Sequence, residues 1–161
     1  IFMMMMCPAS NLHRIIVHYI FNELLEQTSS ANNVGSEATR IDVNYILKST
    51  DEKTKYLEPD VFAGSDLLWK GEILVSAPEL IIEVLSFATA KYDKTGKMDL
   101  YKSIGVKEYI LVSQDESVEL YKLQNDNFKD YIKIDDLFKS EYLNITLDFD
   151  KIFSLVRDKF N

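Results

Sequence analysis

The sequence is short of several things, and each shortage excludes something. It holds one cysteine, Cys7, in 161 residues, so an internal disulfide is ruled out and a reducing, cytoplasmic setting is expected. Only three prolines and five glycines are present, so no flexible linker interrupts the chain, which reads as a single domain over residues 1–161. A chain of that length buries roughly two thirds of its unfolded surface. No apolar run approaches about 18 residues, so no membrane span is expected. The apolar opening, Ile1 to Ser10, is short and lacks a basic flank, which argues against a secretion signal. It begins with Ile1 rather than Met, so a preceding segment is expected. There is no Gly-rich phosphate loop, no cysteine pair and no G-x-S-x-G elbow. The two histidines, His13 and His18, lie five apart, which separates them by about 140° on a helix and excludes an i,i+4 zinc pair.

Positive charge is also in deficit. Eighteen Lys and Arg face 26 Asp and Glu, a formal net charge of −8. That balance disfavours broad adhesion to nucleic acid, so a polyanion ligand would need a locally basic surface. One candidate is the stretch carrying Lys91, Lys94, Lys97, Lys102 and Lys107 against Asp93, Asp99 and Glu108. A solvated lysine-rich helix face is an equally common meaning of such a run.

The residues that are present, 47% hydrophobic and 12% aromatic, describe a folded protein. Ser10 and Asn11 read as the N-cap of a helix over residues 11–27, with Leu12, Ile15, Ile16, Tyr19, Ile20 and Leu24 at helical spacing. Residues 38–47 and 56–63 read as a strand hairpin. Residues 64–77 read as a surface loop whose Trp69 is a candidate contact for substrate or partner, or simply a buried loop tryptophan. A helix is expected over residues 87–105, closed by Gly105, then strands over 106–112, 117–123 and 128–134. Asp150 is expected to cap a terminal amphipathic helix. The order gives an α/β fold, a mixed sheet with helices on its faces.

Within this pattern two acids stand where apolar residues belong. PELIIEVLSF, residues 78–87, reads as a strand covered on both sides because no polar face remains, yet Glu83 lies in its middle. A bare buried carboxylate costs several kcal/mol unless a cation or strong donors meet it. Asp60 follows Pro59 in YLEPDVF, near the end of another apolar strand. Two acids facing one pocket call for a cation between them, and Mg²⁺ suits oxygen ligands of this kind beside substrate phosphates. Lys97 precedes Leu100, Tyr101 and Ile104 by three, four and seven residues, which places it on the inward helix face. It can lay its stem along the core and bring an ammonium to the sheet, whereas Lys102 falls about 140° away, toward solvent. Singly, each sign is weak: such a glutamate is as often an edge-strand residue, Pro-Asp usually marks a turn, and helix lysines are usually exposed. The three in this order are more specific.

The segments EPDV, PELIIEVLS and YDKTGKMDLYKSIGVKEYILV resemble the Uma-type (Uma-two) family of restriction-endonuclease-like proteins, within the PD-(D/E)XK nuclease superfamily. The similarity spans nearly the whole chain. It implies a restriction-endonuclease-like core and a metal-dependent endonuclease acting on DNA phosphodiesters. By that resemblance Asp60 and Glu83 ligate the metal (Mg²⁺, with Mn²⁺ as a substitute), the Val84 carbonyl is a further ligand, and Lys97 is the catalytic lysine, moved to the helix because Leu85 occupies its usual place. His13 matches the histidine of the first helix as an accessory residue, or it packs that helix. A homodimer is implied by the habit of the superfamily. The sequence departs from the family pattern after Val112, where Ser113 and Gln114 replace Asp-Pro, and the family's N-terminal strand and helix are missing before Ile1. The alternative function is a catalytically inactive nuclease fold that binds DNA or protein, with Asp60, Glu83 and Lys97 as a self-neutralising buried network.

Overall fold

The computed structural model describes residues 2–86, 96–124, 127–128 and 132–161. Its elements follow in the order α1 (Phe2–Gln27), β1 (Val34–Ser36), β2 (Arg40–Asp42), α2 (Val43–Leu47), β3 (Tyr56–Leu57), β4 (Val61–Ala63), β5 (Trp69–Lys70), β6 (Ile73–Leu74) and β7 (Leu80–Val84). Then come α3 (Met98–Ile104), β8 (Glu108–Val112), β9 (Val118–Gln124), β10 (Asn127–Phe128), β11 (Ile132–Ile134), β12 (Leu137–Lys139), β13 (Thr146–Asp148) and α4 (Phe149–Phe160).

The main sheet runs β1-β4-β7-β8-β9, with β10 and β11 both pairing β9. Among the described residues only β7 and β8 are parallel in it, and that pair forces the chain to cross over through α3. All five residues of β7 are buried, as a doubly covered strand requires. Alternation divides them. Leu80, Ile82 and Val84 join a core with Ile16, Ile20 and Leu24 of α1 and Ile152, Phe153 and Val156 of α4. Ile81 and Leu85 face the opposite way, into a core with Phe62, Tyr101, Ile104, Tyr109 and Leu111. The unbroken apolar run is therefore two half-runs, one for each layer. The expected mixed sheet with helices on its faces is what forms, and among the described residues no helix is long and apolar enough to cross a membrane.

Several local expectations fail for identifiable reasons. The first helix begins at Phe2 rather than at a Ser10–Asn11 cap. Asn11 is an exposed helical residue whose side chain accepts from Arg14. The strand expected over 38–47 stops at Asp42, whose side chain caps α2 by accepting from the Tyr45 N–H. The strand over 56–63 is split at Glu58-Pro59-Asp60 into β3 and β4, since Pro59 has no N–H to give a ladder. Residues 64–77 hold the antiparallel pair β5–β6, turned at Gly71 with φ of 59°. The cap of α4 is Asp148, accepting from the Lys151 N–H, and Asp150 sits inside the first turn. The helix expected over 87–105 is seen from 98 and closes at Gly105 as anticipated; residues 87–95 lie outside the described residues.

One close approach fixes the sheet beside the site. Gly35 pairs with Phe62 across β1 and β4, and a Cβ at Gly35 would stand 2.1 Å from Phe62 Cζ. Gly35→Ala is expected to lower stability by about 1–3 kcal/mol through overpacking. Combined with Phe62→Leu it should cost less than the sum of the two single changes, as urea unfolding of the four proteins would measure.

Candidate active site

Glu83 is fully buried, with its side chain on the α3 side of β7 between Ile81 and Leu85. Two donors meet it there. The Tyr101 hydroxyl donates to Glu83 Oε1 at 2.7 Å and Lys97 Nζ reaches the same oxygen at 3.2 Å. Both come from the start of α3, one helical turn apart, so one element delivers a phenol and an ammonium together. Burial, and next the charge of Glu83, push the Tyr101 hydroxyl well above its ordinary pKa, so Tyr101 stays a donor. Its ring is backed by Tyr109 of β8 at 5.2 Å between centroids.

Asp60 stands across the ladder from Glu83. The β4–β7 register pairs Val61 with Ile82, and one step further brings Asp60 opposite Glu83. The Asp60 N–H points to Glu83 Oε2 at 3.4 Å, and the Val84 N–H donates to Asp60 Oδ2 at 2.7 Å. The same Oδ2 lies 3.1 Å from His13 Nε2. His13 belongs to α1, which covers the other face of the sheet, so side chains from the two layers meet here, past the end of β4 and at the carboxyl end of β7. Ligand sites at the carboxyl ends of parallel strands are the rule in open α/β sheets.

The other imidazole nitrogen, His13 Nδ1, lies 3.4 Å from Glu37 Oε1. Glu37 occupies the turn between β1 and β2, beside Ala38 with φ of 73°. Donor atoms of His13, Glu37 and Asp60 all lie within 4.8 Å of one another. The residues singled out from the sequence, Asp60, Glu83, Lys97, Val84 and His13, are thus brought to one place. Lys102 turns away and pairs with Asp99 at 3.4 Å, and His18 is exposed, 3.0 Å from Asn22. Trp69 is half-buried, its ring 6.1 Å from Phe62, and it lines a cavity of about 640 Å³ with Val34, Gly35, Glu37 and Glu72.

Two participants, and one buried acid outside the site, went unread in the sequence. Glu37 carries no signal, being an acid in a polar turn. Tyr101 was legible as an inward helix residue, and its hydroxyl as the donor that Glu83 needs. Glu108 repeats the Glu83 pattern, an acid heading the apolar run EYILV. It too is fully buried, at the other end of the sheet, where the Ser140 hydroxyl at 2.6 Å and the Glu141 N–H at 3.0 Å satisfy it. Burial raises its pKa against those bonds, and its partners make it an anchor for the β12–β13 connection. After β8, the Gln114 amide donates to the Leu85 carbonyl at 3.1 Å, tying the turn to the carboxyl end of β7.

Burial opposes ionisation of Asp60, but the hydrogen bond and charge of His13 and the Val84 N–H outweigh it and hold the pKa below the ordinary carboxylate value. A depressed carboxylate pKa adds stability that is present above the unfolded value near about 3.9 and is lost as pH falls through the folded value. Asp60→Asn should therefore flatten the loss of stability below about pH 4, read from urea midpoints against pH. Tyr101→Phe removes a hydrogen bond to a charged group and is expected to cost about 1.5–3 kcal/mol, measured by the same unfolding at neutral pH.

Comparisons with known proteins bear on the fold and the family. A crystal structure described as a putative nuclease belonging to DUF820, from Anabaena variabilis ATCC 29413, superposes with a TM-score of 0.66 at 19% identity, over 90% of this chain and 82% of that one. At that identity the likeness is one of fold. No curated protein matches the chain. The Uma2 model, described as "Putative restriction endonuclease", matches residues 2–153. The chain belongs to the Uma2 family.

Proposed function

We propose that the protein is a divalent-metal-dependent endonuclease that hydrolyses DNA phosphodiester bonds. The observation that carries this reading is the meeting of Asp60, Glu83 and Lys97 at the carboxyl end of β7. The donor set fits a hard divalent ion. Asp60 is held ionised by its neighbours. Glu83 directs Oε1 to Tyr101 and Lys97, and the Asp60 N–H lies 3.4 Å from its Oε2. Asp60 and Glu83, with the Val84 carbonyl, would hold Mg²⁺ or its substitute Mn²⁺. When bound, such an ion supplies Lewis-acid polarisation of the scissile phosphate and acidifies a coordinated water.

The chain's own residues do the rest. Lys97, fixed by its bond to Glu83, places a cation where negative charge grows on the phosphoryl oxygens. Tyr101 orients Glu83 from behind and keeps it from rotating away. His13 orients Asp60, with the Val84 N–H as the second fixed point. DNA as substrate, a homodimeric state and a cytoplasmic setting belong to this reading through the family.

One observation favours a second reading. Lys97 and Tyr101 already compensate Glu83, so the network can stand as structure alone, in a fold that binds DNA or protein without cutting. Thermal melts separate the two. On the enzymatic reading, Mg²⁺ or Mn²⁺ raises Tm, and Glu83→Gln abolishes that response while leaving the metal-free protein no less stable. On the structural reading, the ions have no effect and Glu83→Gln destabilises the protein, because a buried ammonium loses its counter-charge. Plasmid nicking with Mn²⁺ that disappears in Lys97→Ala is the result expected of the enzyme. Nicking that survives in Lys97→Ala would overturn the role given to this lysine.

A further inference from the structure

We infer that the outward face of the small sheet β3-β2-β6-β5 is a track for an unpaired nucleic-acid strand, leading away from the site. The identity of the ligand rests on the nuclease reading above, but the surface itself uses none of Asp60, Glu83 and Lys97.

The sheet has two unlike faces. Ile41, Leu57 and Leu74 point inward and are buried. The register sets Arg40 beside Ile73, Ile73 beside Lys70, and Asp42 beside Tyr56, so alternation turns this second set outward. Arg40, Tyr56 and Lys70 are exposed there. α2, which follows β2 directly, brings Tyr45 to the same face, since Lys70 Nζ lies 4.4 Å from the centre of its ring. Arg40 takes the matching place over Tyr56, at 5.7 Å. Both rings keep about half of their residues' surface in solvent, 50% for Tyr45 and 43% for Tyr56.

Cations held in this way remain available to an anion. A ring fixes Lys70 without cancelling its charge, and among the described residues Lys70 enters no ion pair. Arg40 also meets Glu58 at 3.1 Å, but both side chains are more than half exposed, and a phosphate displaces such a pair at little cost. Asp42 is engaged in capping α2. Neighbouring strands stand about 4.8 Å apart, so Arg40 and Lys70, separated by β6, present their charges about 10 Å from one another. Aromatic rings beside cations suit an unpaired strand, because bases stack on the rings while phosphates meet the charges. A duplex keeps its bases inside the stack and offers the rings nothing.

The track is continuous with the site. A cavity of about 570 Å³ lined by Arg40, Lys70 and Ile73 shares Ala38 and Glu72 with the cavity that Glu37 and Trp69 line. Arg40 follows Glu37 by three residues, a span of at most about 11 Å, and Glu37 faces His13. A further hollow of about 560 Å³ continues past Tyr45 to Lys48. Acids lie at the site end and cations beyond it, so a strand with its reacting phosphate in the site is held past the acidic cluster, over the sheet. The substrate class that follows is DNA with an unpaired flank beside the cut, such as an overhang or flap, in preference to continuous duplex.

Fluorescence anisotropy of the full chain, kept metal-free so that nothing is cut, tests this with labelled oligothymidylate and a duplex of equal length. Oligothymidylate should bind at least about fivefold more tightly, the value of one stacked base. Tyr45→Ala and Tyr56→Ala should each weaken it by at least about that factor, whereas Tyr45→Phe, which keeps the ring, should not. Lys70→Gln should reduce the slope of log affinity against log salt by about 0.7. These side chains are exposed, so each variant is expected to keep the wild-type Tm. Equal affinity for the duplex would overturn the proposal, as would Tyr45→Ala and Lys70→Gln proteins that bind as the wild type does. So would the absence of oligonucleotide binding at low salt, which leaves the face to a protein partner. The nuclease reading fails by a separate result, a protein that binds oligothymidylate through this face yet leaves plasmid DNA uncut with Mn²⁺.

Discussion

The structure at this end of the molecule depends on the burial of one carboxylate. Glu83 sits on a strand with no exposed residue, and the solvation it gives up must be replaced within a few ångströms. α3 is built to do that: Lys97 and Tyr101 lie one turn apart, Leu100 and Ile104 hold the helix down, and Gly105 ends it so that the chain can enter β8. A change that shifts α3 along its axis would separate both donors from Glu83 at once. Conversely, the compensated carboxylate pins α3 against the sheet. Packing and polar contacts here are one constraint.

The same strand explains why the site is where it is. β7 pairs antiparallel with β4 and parallel with β8. The antiparallel side brings Asp60 opposite Glu83 by register alone. The parallel side requires a crossover, and the crossover carries Lys97 and Tyr101. The residues facing α1 and those facing α3 alternate along β7, so side chains from the two layers do not meet within the sheet. They meet past its end, where Pro59 interrupts the strand and Asp60 precedes β4. His13 and Lys97, from opposite faces, then reach neighbouring acids.

Most of that arrangement was legible in the sequence because it follows from spacing. A carboxylate inside a doubly buried strand demands a partner, and a lysine three, four and seven residues before apolar positions supplies one. The acid after Pro59 was legible as an anomaly, and register turned it into a neighbour. What could not be read were contacts made by turns. Glu37 meets His13 only because β1 and β2 are joined by a tight turn with Ala38 in the left-handed region, and nothing in the local composition announces it. Asp42 was hidden for a related reason: its side-chain cap overrides a strand-like pattern in favour of α2. Glu108 was readable by the logic applied to Glu83, but its partners, Ser140 and Glu141, are more than thirty residues away in a connection without regular structure.

The overall charge of −8 looks at first like an argument against a nucleic-acid ligand, and the site shows how the two can coexist. Three acids, Glu37, Asp60 and Glu83, gather at the carboxyl end of β7 against Lys97 and the imidazole of His13. A phosphodiester approaching that cluster would add negative charge to an excess already there, and at a few ångströms in a partly buried site such repulsion amounts to several kcal/mol. On the proposed reading the cation is therefore a condition of substrate binding as well as of catalysis: without it the site rejects phosphate, and with it the same acids become its ligands. An acidic surface elsewhere then suppresses unspecific adhesion to DNA, so that productive contact depends on a metal-loaded site.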